Sequence, residues 1–324
     1  MLAAWYEQNG AAADVMKVGQ MPDPEPAAGE VRVRLSASAI NPSDVKGRAG
    51  SRKIAWPRIV PNSDGAGVID SVGAGVDASR IGQRVWTFNA QWERPFGTSA
   101  QYVALPGALA VPLADAVSFE EGACLGIPVM TAHRCLFADG SVAGKTVLVT
   151  GGAGVVGHYA IQLAKWAGAT VVTTISSEAK AAHAKAAGAD VVINYRTEDV
   201  VARIRATVGG IDHVVDVDFG KNLPITAQVL RPNAVVASYA SMGDTKPAFP
   251  YYDLFRLNPV IRPVLVYSMS DAAKAASHAD IARWVREAKP QFAIAERHAL
   301  TDIIAAHQVV ERGEKLGHVV LTIE

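Results

Sequence analysis

The sequence predicts an α/β protein in two parts, a β-rich domain and a doubly wound domain with a parallel sheet. Three observations predict it. At 324 residues the chain is longer than one hydrophobic core usually serves. Up to about residue 120, short β-like runs are separated by Gly, Pro, Asn and Asp. From Thr146 onward, apolar strands alternate with helical stretches, the rhythm of βαβ units with right-handed crossovers.

In chain order, EVRVRLSASAI, GAGVIDSV, QRVWTF and AQYVAL are the strands expected in the first part. The second part opens with the strand TVLVT and a helix to about Ala167. It continues through TVVTTI, a helix through Ala187, DVVINY, DHVVDV and AVVASY, with PVLVYS at 263–268 as its last strand. These runs are continuously apolar, as expected where helices cover both faces of a sheet. A helix from about Asp271 to Ala288 follows, and the remainder reads as one helix and a closing strand. The expected division is a first domain at 1–120, completed by 269–324, around a second at 121–268.

Composition excludes several function classes. Lys plus Arg equals Asp plus Glu at 31 each, which gives no electrostatic reason to expect nucleic acid or an anionic membrane as partner. The two cysteines, Cys124 and Cys135, have neither a disulfide framework's pattern nor CxxC spacing, and read as buried free thiols. The start MLAAWYEQNG lacks a basic segment followed by an apolar one, and no apolar run approaches the ~20 residues needed to span a bilayer. A cytoplasmic setting is expected.

The most informative motif is GGAGVVG, between TVLVT and the helical run HYAIQLAKWA. Its glycines Gly151, Gly154 and Gly157 form a GxxGxxG variant of the dinucleotide fingerprint of a Rossmann-type domain. Gly154 lets backbone approach a pyrophosphate, Gly157 permits close helix-on-strand packing, and the N–H groups of Val155 and Val156 at the helix start face the phosphates. Glycines alone fit an ordinary tight turn equally well; the strand before and the helix after decide for the fingerprint.

Where NAD-preferring sites place Asp or Glu at the end of the second strand, this chain has Ser176 and Ser177, with Lys180 one turn on. Hydroxyls and an ammonium suit a 2′-phosphate, so NADPH is the expected cofactor; a solvated surface charge is the other reading of Lys180. Tyr195, with Arg196 beside it, is a candidate platform for the adenine, or else a strand-end aromatic. Tyr239, closing AVVASY, is counted with the cofactor residues.

These features bring a family into view. AINPSD at 39–44, PNSDGAGVI at 61–69, VGAGVDASRIGQRV at 72–85, GTSAQYV at 97–103, TAH at 131–133, VLVTGGAGVVG and the late GHVVL occur in the order found in one group. The chain resembles the zinc-independent, zeta-crystallin-like quinone oxidoreductases of the medium-chain dehydrogenase/reductase superfamily. The resemblance implies a GroES-like β domain beside a Rossmann domain, with the active site in the cleft between them, and a homodimer paired through the last Rossmann strand. It also implies that Asn41, Asp44 and Thr131 are the catalytic set. From the residues alone, Asn-Pro-Ser-Asp is also a turn sequence and Thr131 a helix residue bonding its own backbone. Asp64 reads as a residue that orders a loop.

Zinc-dependent relatives hold their metal with a Cys and a His where this chain has Asn41 and Ser63, so no metal is expected. The resemblance therefore implies hydride transfer from NADPH to an acceptor that is already electrophilic, a quinone or an activated enone. Alternatives are reduction of enoyl thioesters or lipid-derived carbonyls, or a non-enzymatic nucleotide-binding role. Family members often carry tyrosines just after the Asn-Pro turn; here Lys46 and Arg52 fall there, facing either the pocket rim or solvent. Trp92 and Phe96 are candidates for an aromatic pocket wall, or for loop packing. Asn62 replaces a usual Gly before Ser-Asp, which a left-handed Asn accommodates.

Overall fold

The computed structural model describes residues 1–324 and divides into two compact units, 1–127 with 292–324, and 128–291. The first unit begins with β1 (Leu2–Trp5), α1 (Ala12–Val15), β2 (Lys17–Gln20), the long β3 (Glu30–Ile40) and α2 (Pro42–Lys46). Strands β4 (Asp64–Val72), β5 (Arg84–Thr87), β6 (Tyr102–Pro106) and β7 (Ala110–Pro112) follow, then α3 (Phe119–Ala123). Helix α4 (Ile127–Phe137) carries the chain into the second unit.

There β8 (Thr146–Val149), α5 (Val155–Trp166), β9 (Thr170–Ile175), α6 (Glu178–Ala186), β10 (Val191–Asn194), α7 (Val200–Val208) and β11 (Ile211–Asp216) alternate. They are followed by α8 (Phe219–Val229), β12 (Leu230–Ser238), α9 (Tyr251–Phe255), β13 (Val260–Pro263) and α10 (Asp271–Ala288). The chain closes the first unit with β14 (Ile294–Ala299), α11 (Ile303–Arg312) and β15 (His318–Thr322).

The first unit's main sheet runs β14-β15-β3-β4-β5-β7, with β6 pairing β3. Apart from the parallel pair β14 and β15, its pairings are antiparallel. One face of β3 supplies Val31, Val33 and Leu35 to a core that also takes Ile69, Val85, Leu105 and Val319. The second unit's sheet is wholly parallel, in the order β10-β9-β8-β11-β12-β13. Strand order reverses between β8 and β11, and at such a switch point the strand ends diverge to leave a crevice. The central strand β8 is buried at every position, which explains its unbroken apolar run.

Three expectations need correction. The second unit extends to 291, so α10 belongs to it: Trp284 of α10 is fully buried, edge-on to Tyr159 of α5 at 6.1 Å, and Asp280 meets His133 of α4 at 2.9 Å. The last parallel strand is VIRP at 260–263 rather than PVLVYS. Its partner β12 ends at Ser238, whose carbonyl accepts the Val264 N–H, and Val266–Ser268 leave the strand in a single helical turn. The C-terminal segment holds a second strand, β14, whose side chains are mostly exposed and so show no apolar alternation.

Both cysteines are free and buried. No helix is long and apolar enough to cross a membrane.

Candidate active site

In the second unit β8 runs straight into the glycine turn. Gly151 has a φ of +66°, a left-handed conformation that suits glycine. A Cβ on Gly157 would lie 2.5 Å from the Gly151 carbonyl oxygen and 2.9 Å from the Gly152 Cα, so the helix can sit this close only without a side chain. Gly152 is equally constrained: a Cβ there would stand 2.0 Å from Thr173 Oγ1. Sequence reasoning named Gly151, Gly154 and Gly157 and passed over Gly152, whose partner is on the neighbouring strand.

The turn is anchored to β9, since the Gly151 N–H donates to Thr174 Oγ1 and the Gly152 N–H to the Thr174 carbonyl, both at 3.2 Å. Gly154 is the N-cap of α5 and has no side chain to offer, so the helix's first N–H groups, those of Val155 and Val156 among them, meet no capping oxygen. Helix α8 likewise starts without a side-chain cap, whereas three other helices of this unit have one. Ser177 caps α6, Asp199 caps α7 and Ser270 caps α10, each accepting a first-turn N–H.

A cavity of about 790 Å³ opens beside the turn, lined in part by Thr150, Gly151, Thr174, Tyr195 and Asn222. Its floor is held by Asp216, which sequence reasoning missed. This buried carboxylate accepts from Thr150 Oγ1 at 2.8 Å, Asn222 Nδ2 at 2.7 Å and the Asp218 N–H at 2.9 Å. Burial raises its pKa against the pull of those hydrogen bonds.

Tyr195 lines the cavity and is 53% exposed, a ring offered to solvent and not packed at a strand end. Ser176 and Lys180 stand just past the end of β9, with Lys180 Nζ donating to the buried Ser176 Oγ at 3.1 Å. The Ser177 hydroxyl faces the Lys180 backbone N–H as the helix cap. Tyr239, at the end of β12, donates its N–H to the Asp216 carbonyl, and burial pushes its hydroxyl pKa up. Thr131 is buried on α4.

In the first unit the Asn-Pro-Ser-Asp turn is built around buried acids. The Asp44 carboxylate accepts the Asn41 N–H at 2.8 Å, while Asn41 Nδ2 donates to Asp64 Oδ2 at 2.7 Å. The same Asp64 oxygen accepts the Ile127 N–H at 2.9 Å. Asp64 thus ties three separate segments together at the start of β4. Gly126 packs directly against it, where a Cβ would fall 2.2 Å from Asp64 Oδ1.

Burial lifts the Asp44 carboxyl to about 6, opposed by the Asn41 hydrogen bond and the Arg52 charge. Burial lifts Asp64 well above the carboxylate range, and the Asp44 charge adds to the rise. Next to them Asn62 has a φ of +71°, the left-handed conformation that lets Asn stand in for Gly, and its Nδ2 donates to Ser38 Oγ.

Of the four residues expected at the pocket, Arg52 and Trp92 come together, the guanidinium 5.6 Å from the ring centroid, and both line a cavity of about 260 Å³. Lys46 and Phe96 are exposed and outside that lining.

A parallel sheet with a glycine turn at its switch point and an uncapped helix start define a dinucleotide-binding protein. The comparisons carry this to a family. Residues 27–115 match the alcohol dehydrogenase GroES-like domain, and residues 155–280 the zinc-binding dehydrogenase domain. The chain is 31% identical over 300 residues to the 2-methylene-furan-3-one reductase of Solanum lycopersicum, covering 87% of this chain and 77% of that protein. It is 35% identical over 205 residues to the quinone oxidoreductase of Rattus norvegicus, covering 62% of this chain and spanning 61% of the rat protein's length.

A mycobacterial protein solved in complex with NADPH superposes with a TM-score of 0.86 at 27% identity, over 99% of this chain and 100% of that one. A structure described as an NAD-dependent alcohol dehydrogenase superposes at 0.90 with 30% identity, over the full length of both. The chain belongs to the quinone oxidoreductase family of the medium-chain dehydrogenase/reductase superfamily, a family of oxidoreductases.

Proposed function

We propose that this chain is an NADPH-dependent reductase that passes a hydride to a quinone or an activated enone without zinc. The observation that carries the reading is the glycine turn, where a space kept free of Cβ atoms adjoins a helix N-terminus without a capping side chain. That is a site for an anionic pyrophosphate. Gly151, Gly154 and the N–H groups of Val155 and Val156 would hold it, with Tyr195 beside the adenine and Lys180 and Ser176 on the 2′-phosphate. When bound, NADPH supplies a hydride to the electrophilic carbon or quinone oxygen and leaves as NADP⁺; a proton from solvent completes the reduction.

The zinc named by the matched domain does not fit the donors present. The places of a thiolate and an imidazole hold the Asn41 amide, hydrogen-bonded to Asp64, and Ser63, and no three His, Cys, Asp or Glu side chains cluster for a metal. Asn41, Asp44 and Thr131 are assigned to the reacting end by family resemblance. In this unit Asp64 holds the Asn41 amide in one orientation, with its NH₂ toward the carboxylate. We also read the sheet edge at β13, where Val260 is exposed, as a homodimer contact, which a solution mass of two chains would support.

The test is NADPH oxidation by chelator-treated protein on a panel of phenanthrenequinone, methyl vinyl ketone and simple aldehydes. Turnover of the first two, undiminished by the chelator, is expected. Activity that appears only with added zinc would overturn the proposal.

A further inference from the structure

The cavity of about 260 Å³ in the first unit is walled by Tyr6, Ile54, Trp56, Ile59 and Trp92, and Arg52 projects its guanidinium into this apolar surround. Neighbouring arginines have carboxylate partners: Arg48 pairs with Glu311, Arg58 with Glu7 and Arg94 with Glu30. Arg52 has none. Its Nη2 donates at 3.4 Å to the Ser43 carbonyl of α2, and its head faces the Trp92 ring.

The position is built into the backbone. A Cβ on Gly47 would lie 2.6 Å from Arg52 Nη2 and 2.9 Å from its Nε, so the guanidinium lies flat against a glycine at the end of α2. Lys53 and Glu93 also border the cavity; both are exposed and opposite in charge, so Arg52 decides the charge the cavity presents. A planar fork of N–H donors with no carboxylate at ion-pair distance, its charge felt only at longer range by the buried Asp44, over an aromatic wall, recognises a carboxylate on a flat, conjugated body.

We infer that Arg52 is the specificity residue of the acceptor site and that the preferred acceptors are short conjugated enones bearing a carboxylate. The inference rests on the reductase reading. The carboxylate lies on the Arg52 fork and the conjugated body against Trp92.

The experiment compares β-acetylacrylate with its methyl ester as acceptors for NADPH oxidation, in the wild type, Arg52→Gln, Arg52→Lys and Gly47→Ala. The wild type is expected to favour the acid about tenfold in kcat/KM although the ester is intrinsically more electrophilic, a preference of about 1.4 kcal/mol. The acid-to-ester ratio should fall about tenfold in Arg52→Gln, with partial rescue in Arg52→Lys. It should fall less steeply in Gly47→Ala, where the methyl group lifts the fork.

Binding of levulinate, the saturated product, is followed separately by tryptophan fluorescence without cofactor. Its loss in Arg52→Gln supports the site even if no acceptor is turned over, a result that would remove the reductase reading alone. Turnover of both acceptors with a ratio indifferent to Arg52, or levulinate binding unaltered in Arg52→Gln, overturns the inference and leaves the reductase reading standing.

Discussion

The glycine turn of the second unit and the acid cluster of the first treat their polar groups in opposite ways. At the glycine turn of the second unit, backbone donors are left open: α5 starts on Gly154 without a side-chain cap, although α6, α7 and α10 each have one. In the acid cluster of the first unit Asp44 and Asp64 are buried, and one oxygen of each accepts from Asn41 or from Asn41 and Ile127. Open donors cost the fold something and are retained where an anion can meet them. Closed carboxylates hold the chain in place, and burial holds their pKa values up. Damage to the first kind should therefore appear in ligand binding, and damage to the second in stability.

The largest effect should come from Gly157→Ala. Its Cβ meets backbone at 2.5 Å and cannot be accommodated unless the turn moves. NADPH affinity, read by cofactor fluorescence, should fall about 100-fold, a loss of roughly 2.7 kcal/mol. Affinity within threefold of wild type would break the comparison. Next is Asp64→Ala, which strands the Asn41 amide and the Ile127 N–H in a buried setting. A loss of about 2 kcal/mol in urea unfolding at neutral pH is expected, less in Asp64→Asn, which keeps an acceptor oxygen.

Lys180→Glu should weaken NADPH about tenfold and leave NADH within about threefold, as measured by paired titrations; tenfold corresponds to about 1.4 kcal/mol. Equal weakening of both would remove Lys180 from 2′-phosphate recognition.

The remaining effect is a pH dependence. The folded Asp44 titrates near 6, while an unfolded aspartate titrates near 3.9. Between those values the folded chain holds a proton that the unfolded chain releases, so this group's contribution improves as pH falls from about 6 toward 4. Above 6 it carries a desolvated charge that costs stability. Asp44→Asn should gain about 2 kcal/mol relative to wild type between pH 4 and pH 7. A pH-independent difference would show that the carboxyl is not held up by burial.

Legibility in the sequence followed the range of the interactions. Strand β3 and the turn at Gly151, Gly154 and Gly157 were readable because alternation and local backbone geometry dictate them residue by residue. The need for glycine at 152 and 126 was not, because Thr173 and Asp64 arrive there from other strands. The depth of Asp64 was hidden for the same reason: the sequence shows a turn-like Ser-Asp-Gly and gives no sign that Asn41 and Ile127 will close over it. Strand β14 escaped because an exposed edge puts little demand on its side chains. Arg52 and Trp92 were legible as residue types, but their convergence depends on Gly47 and on the loop that carries Trp92.

The first unit leaves the chain at residue 127 and resumes at 292, and its closing strand β15 pairs with β3 through Val319–Thr322 against Ala37–Ile40. A nascent chain therefore emerges from the ribosome with the second unit uninterrupted and able to fold, while Ala37–Ile40 of β3 wait for β15 until residues 319–322 are made. Release before residue 319 would spare the nucleotide fold and leave the end of the long strand of the other unit with an open side, a substrate for chaperones and proteases.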